Sequence, residues 1–220
     1  MMLAELHCHT GYSRKRNGQP DGLHTPEQMV RQAKTLGLQA IAITDHDTLA
    51  GLKAAVPAGR KHGILVIPGC EISSSNGHIL ALGIDAPVKP GLPVAATVEQ
   101  IRAQNGLSIA AHPFDFRRRG VGTLARHCDA IEAFNAMSLE RIPNLRARWF
   151  ASQESKPGTA GSDAHSRQAI GMATVRLEAD SLDALLQALR RGRFSTAARY
   201  MPLNLAVADM LRKRWRPAAI

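Results

Sequence analysis

Gly161-Ser162-Asp163-Ala164-His165 follows the last of a series of short apolar runs, and its reading decides what kind of molecule the chain folds into. Asp163 and His165 are two positions apart, so on an extended backbone both side chains point to one face. A carboxylate beside an imidazole pairs a hard donor with a borderline one, a combination suited to Mn, Fe or Zn. Alone the pentapeptide also fits a polar turn after a strand. Its weight comes from recurrence, because similar polar endings close other runs upstream.

Residues 3–9 read as a short strand ending in His7-Cys8-His9, with both histidines on one face and Cys8 turned into packing. Such a pair at i and i+2 reads either as structural histidines or as ligands. Residues 11–23 form a glycine-rich loop carrying Arg14-Lys15-Arg16. Thr25-Pro26-Glu27 then starts a helix, with Thr25 as N-cap, Pro26 at N1 and Gly37 as the stop. Ala40-Ile41-Ala42-Ile43 is apolar throughout, as in a strand covered on both faces, and it ends in Thr44-Asp45-His46-Asp47. A helix over residues 48–62 precedes a strand over residues 64–67, which leads to Glu71, and the next strand begins near His78.

A helix over residues 98–104 leads to a strand ending at His112-Pro113, and Ala130-Ile131-Glu132-Ala133-Phe134 is the next apolar run. A helix over residues 139–153, an edge strand over 171–177 and a helix over 181–191 follow. Strand and helix alternate with short connections, which predicts a parallel sheet with helical crossovers. His9, His46, Glu71, His112, Glu132 and His165 all fall at or just after the ends of strands. In a barrel or doubly wound sheet those ends converge on one face, where active sites are built.

The bulk composition agrees with an α/β protein, since 45% of the residues are hydrophobic and only 4% aromatic. At 220 residues the chain predicts one domain with a full core. Three widely spaced cysteines, Cys8, Cys70 and Cys128, fit a reduced, cytoplasmic protein. No stretch is long and apolar enough for a membrane span. The net charge of +10 is concentrated in residues 190–220, where eight basic residues face the single acid Asp209. The tail therefore carries the charge, as an interacting or solvated segment, and the body is nearly balanced. Within it, residues 203–215 read as a helix with Leu203, Val207, Met210 and Leu211 docked on the barrel and a solvated basic end. That end could also touch RNA or an anionic membrane surface.

In this order the motifs resemble the polymerase and histidinol phosphatase (PHP) family of metallophosphoesterases. The resemblance rests on His7-Cys8-His9, Thr44-Asp45-His46-Asp47, Ala111-His112-Pro113 and Ser162-Asp163-Ala164-His165, with Glu71 and His78 between the second and third. It implies a distorted seven-stranded (β/α) TIM-like barrel over residues 1–195, with 196–220 as a basic segment packed on it or trailing from it. It also implies two or three divalent transition metals, Mn, Fe or Zn. One metal would take His7, His9, Glu71 and Asp163, and a second Glu71, His78 and His112. The third would take His46, His165 and Asp21, the last displaced by a seven-residue insertion after Tyr12-Ser13. Glu71, Asp163 and His165 are then the catalytic residues.

Bound metal acidifies water, so the expected reaction is attack of a metal-bridging hydroxide on a phosphate ester. Asp45 and Asp47 read as groups that orient histidine ligands, and Glu132 as a group that does the same or orients water. The basic triplets Arg14-Lys15-Arg16 and Arg117-Arg118-Arg119 are either solvated runs or phosphate contacts, with Arg16, Arg117, Arg118 and Arg119 the candidates. The leading expectation is hydrolysis of a phosphomonoester of a nucleotide or small metabolite. A 5′-end-directed exonuclease on RNA or DNA, using the basic loops and tail, is the alternative, and a non-catalytic scaffold is disfavoured by nine capable ligands. The sequence sets no oligomeric state.

Overall fold

Ala40 and Ala42 face one hydrophobic cluster and Ile41 and Ile43 another, so the period-two alternation of a single strand divides the molecule into inside and outside. The computed structural model describes residues 1–14 and 17–214, so Lys15, Arg16 and residues 215–220 fall outside the described residues. In chain order the elements are β1 (Met2–Glu5), α1 (Pro26–Thr35), β2 (Ala40–Ile43), α2 (Leu52–His62), β3 (Leu65–Ser73) and β4 (His78–Leu82). Then come α3 (Val94–Arg102), β5 (Leu107–Ala110), β6 (Ala130–Asn135), α4 (Arg141–Gln153) and β7 (Gly158–Gly161). The chain continues through β8 (Ala173–Leu177), α5 (Leu182–Arg190), β9 (Phe194–Ala198) and α6 (Leu203–Arg214).

Among the described residues the strands form one sheet in the order β7-β6-β5-β4-β3-β2-β1-β8-β9. It curls into a nearly closed barrel. A parallel bridge from Cys8 to Ala164 joins the chain beyond β1 to the chain beyond β7, with His9 N–H donating to Ala164 O at 2.8 Å. Two strands depart from the expected parallel sheet. β4 runs antiparallel to β3 and β5, and β8 antiparallel to β1 and β9. Four residues link β3 to β4, too few for the helical crossover that parallel strands require. β8, expected at an edge, lies between β1 and β9, and the largely exposed β9 carried no apolar alternation to announce it.

The barrel interior is filled at one end. Leu6, Ile67, Leu80, Leu82, Leu107, Ile109 and Val175 pack there against Leu185, Leu186 and Leu189 of α5. Outside, Ile72, Ile79 and Ile131 lie in the cluster that holds Val94, Val98 and Ile101 of α3 and Phe150 of α4, and Ile41 and Ile43 lie with Met29 and Val30 of α1. With α5 sealing one mouth, the other is left for the polar residues at the strand ends.

α6 docks the opposite way from expectation. Leu203, Val207, Met210 and Leu211 are exposed, while Asp209 is buried and Leu205 and Ala206 rest on the core.

Candidate metal and active site

The sheet brings the nine residues expected as ligands into one cluster, because the ends of β1, β2, β3, β5 and β7 open on the same mouth. His78 joins them from the start of β4, since an antiparallel strand begins where its neighbours end. Glu71 sits at the centre. Its Oε2 lies 3.4 Å from His7 Nε2, 3.2 Å from His9 Nε2 and 3.3 Å from His46 Nδ1, and its Oε1 lies 3.0 Å from both His78 Nδ1 and His112 Nε2. Asp163 Oδ1 approaches His7 Nε2 at 3.6 Å and His9 Nε2 at 3.3 Å. Asp21 Oδ2 lies 3.0 Å from His165 Nε2 and 3.6 Å from His46 Nε2, so the residue after the first-loop insertion does reach the site.

These donors fit divalent cations on the logic of their protons. His7 Nδ1 meets Glu132 Oε1 at 2.9 Å and His165 Nδ1 meets the Asp163 carbonyl at 2.8 Å, so each ring donates outward and turns Nε2 inward. A neutral ring then aims a lone pair at a carboxylate, which is a repulsive pairing until a cation stands between them. The inward nitrogens of His7 and His9 are 3.2 Å apart. Among the described residues three groups offer one ligand atom per residue, all within 4.8 Å of one another: His7, Glu71 and His112; His7, His9 and Asp163; and His9, His46 and Glu71. Buried His112 Nδ1 has no hydrogen-bond partner among the described residues.

The same carboxylates favour positive charge on the rings beside them. Burial pulls His7 down, but Asp163, Glu132 and Glu71 raise it well above the usual imidazole range, and hydrogen bonds to Asp163 and Glu71 bring His9 up to about 9. Burial pushes the Glu71 carboxyl up, yet the histidines around it hold it well below the ordinary value. Asp163 is held low in the same way, against burial, by Arg118 and His7. His46 is pulled by burial down to about 4.

Glu132 bonds His7 as expected and also accepts from His112 N–H at 2.7 Å and from Asn135 Nδ2 at 2.9 Å. Asp45 and Asp47 do otherwise than expected. Asp45 accepts Thr10 N–H at 2.6 Å and Thr10 Oγ1 at 2.7 Å, and Asp47 accepts Ser73 N–H at 2.7 Å; both hold loops, not imidazole rings. Glu5, Ser13 and Asn135 escaped the sequence reading. Buried Glu5, pushed up by burial to about 7, accepts the backbone N–H of His7, Ser162 and Gly171. Its signal was present, since Glu5, His7 and His9 share a face at period two. Asp163 and His112 take left-handed backbone, at φ 51° and 31°, where the strand ends must bend sharply into the mouth.

The basic triplets part company. Arg118 donates to Asp163 at 2.5 Å, and Arg117 pairs with Glu140 at 2.9 Å. Arg119 is exposed, Arg14 donates to Gly11 O at 2.8 Å, and Arg16 lies outside the described residues. Arg14, Arg117 and Arg119 line a groove of about 960 Å³ together with His46, His78, Ser73, Ser74 and Ser75. On the far side of the centre, Lys213 of α6 reaches Asp21 Oδ1 at 2.8 Å, a contact no sequence signal announced.

The PHP domain profile matches residues 5–137, and a PHP-associated profile matches residues 141–194. The phosphoribosyl 1,2-cyclic phosphate 1,2-diphosphodiesterase of Eggerthella lenta is 36% identical over 112 residues, which is 47% of this chain and 40% of that protein. The 3′,5′-nucleoside bisphosphate phosphatase of Chromobacterium violaceum is 37% identical over 106 residues, 46% of this chain and 34% of its own length. The chain thus spans well under half of either relative. A solved two-domain protein of Bacteroides vulgatus, containing a predicted PHP-like metal-dependent phosphoesterase, superposes with a TM-score of 0.74 at 18% identity, covering 96% of this chain and 69% of that one. No helix among the described residues is long and apolar enough to cross a membrane.

Proposed function

The chain belongs to the PHP domain family of metal-dependent phosphoesterases, hydrolases of phosphoric ester bonds, and from that premise we propose that it cleaves a phosphomonoester of a nucleotide or small metabolite. The observation that carries this reading is the Glu71 carboxylate in contact with five imidazoles, two of which, His46 and His78, line a groove that Arg14, Arg117 and Arg119 also line. The groove has the volume of sites that enclose molecules of nucleotide size. Similarity to a nucleoside bisphosphate phosphatase and to a cyclic phosphate diphosphodiesterase supports a small phosphorylated substrate.

His7, His9, Glu71 and Asp163 would hold one divalent ion of Mn, Fe or Zn, Glu71, His78 and His112 a second, and His46, His165 and Asp21 a third. When bound, such ions polarise phosphoryl oxygens and lower the pKa of water. We assign Glu71, Asp163 and His165 as the catalytic residues. Glu71 joins two of the metal positions with one charge. Glu132 keeps the His7 proton on Nδ1, so Nε2 stays available to the centre. The Asp163 carbonyl does the same for His165. Arg119 and Arg14, which line the groove, meet the substrate's anionic oxygens, while Arg118 neutralises Asp163 in the resting protein.

The test is a screen of Mn-loaded protein against nucleoside mono- and bisphosphates, sugar phosphates, dinucleotides and short 5′-phosphorylated RNA, alongside elemental analysis. Release of phosphate from small monoesters by protein holding two or three metals is the expected result. Less than one metal per chain, with no activity regained on adding Mn, Fe or Zn, sinks the reading. Activity confined to RNA ends makes the exonuclease the better one.

A further inference from the structure

Two cation positions compete for one carboxylate at the edge of this site. Asp21 is buried, and its oxygens are divided: Oδ2 faces His165 Nε2 at 3.0 Å and His46 Nε2 at 3.6 Å, while Oδ1 takes the Lys213 ammonium at 2.8 Å. A divalent ion held by Asp21, His46 and His165 would therefore share its one carboxylate with a fixed positive charge. Like charges on a common carboxylate weaken each other's hold, and the burial of Asp21 limits how far solvent can screen them.

The helix that delivers Lys213 is attached poorly enough to yield. Its outward face carries Leu203, Val207, Met210 and Leu211, which contribute little to docking, so the apolar contact of the helix rests on Leu205 and Ala206. Its inward face buries Asp209, whose Oδ2 has no hydrogen-bond partner among the described residues. An unpartnered buried carboxylate oxygen opposes docking. The Lys213–Asp21 ion pair is thus a principal polar tie between α6 and the barrel mouth.

We propose that Lys213 is a built-in competitor of the third metal, so that filling of the Asp21 position by a divalent cation and docking of α6 oppose one another. This rests on the metal-centre reading above. By linkage the effect is reciprocal: metal at Asp21 loosens α6, and release of α6 tightens metal binding by the same factor. The chain then alternates between a form capped by Lys213, with that position weakly occupied, and an open form with it filled.

The experiment titrates Mn into chelator-stripped full-length protein while following calorimetric binding and hydrogen–deuterium exchange of residues 203–214. In the natural protein, exchange in α6 should rise as the weakest Mn equivalent binds. K213M should bind that equivalent roughly 5- to 150-fold more tightly, the usual span of such couplings. In D21N that equivalent should vanish, and α6 should exchange rapidly at every Mn concentration. Equal Mn affinity in K213M and the natural protein, or weaker binding in K213M, overturns the competition. So does α6 protection that stays constant through saturation. Failure of the natural protein to bind any Mn, Fe or Zn removes the metal centre itself, a result separable from the others because no binding isotherm is seen.

Discussion

Glu71 shows how much one side chain can be asked to do when a fold delivers five histidines to it from three different strand ends and the start of a fourth strand. Removing its charge leaves every one of those rings without its common partner. Glu71→Gln should therefore lower metal content and kcat/KM further than His78→Ala, which removes only one contact to Oε1. Elemental analysis and phosphate release on one substrate measure both; equal losses would refute the shared role. Glu132→Gln keeps the shape but weakens the hold on His7 Nδ1, and about 10- to 100-fold in metal affinity or activity is expected. Cys128 stands at the other extreme. It is fully buried, and burial pushes its thiol up to about 12. It should resist a thiol reagent at neutral pH until the protein unfolds, and rapid native labelling would contradict the packing.

At the scale of elements, the site depends on how closely neighbouring strands approach. A Cβ built on Gly161, the last residue of β7, would lie 2.2 Å from Glu132 Oε1 and 2.7 Å from His7 Cβ. Gly161→Ala should cost about 1–3 kcal/mol by overpacking and should disturb the His7–Glu132 bond, so denaturation midpoint and metal content should fall together. α1 offers the contrast. Thr25 accepts Gln28 N–H at 3.3 Å while Gln28 Oε1 accepts Thr25 N–H at 3.0 Å, a reciprocal cap on a helix outside the mouth. Thr25→Ala should cost about 1 kcal/mol, shifting Tm by about 2–4 °C, with kcat/KM unchanged. A loss of activity would show that α1 positions the site after all.

For the whole molecule the question is where the charge acts. Most of the net charge of +10 lies near the C-terminus, yet Lys213 turns inward and the groove is lined by Arg14, Arg117 and Arg119. With a small substrate, Arg119→Ala should raise KM by a factor matching one charge-assisted bond, about 1.5–3 kcal/mol or about 10- to 150-fold, with little dependence on salt. An enzyme that tracks along a single strand would instead lose affinity steeply, at a log–log slope of about −0.7 per phosphate contacted. Initial rates between low and high KCl separate the two.

The sequence by itself determined the alternation of strand and helix, the capped start of α1 and the limits of β2, because each follows from side-chain periodicity or a local cap. It also supplied the histidines and carboxylates, since residue type and strand-end position are both local properties. The tertiary structure decided what local pattern cannot contain. The reversal of β4 and the insertion of β8 between β1 and β9 are choices among pairing partners. The partners of Asp45, Asp47 and Glu5 depend on which loop or strand lies opposite. The inward turn of Asp209 and Lys213 ran against the apolar stripe of their own helix, because the partner Lys213 meets, the buried carboxylate of Asp21, lies 192 residues away in sequence, where no local pattern can announce it.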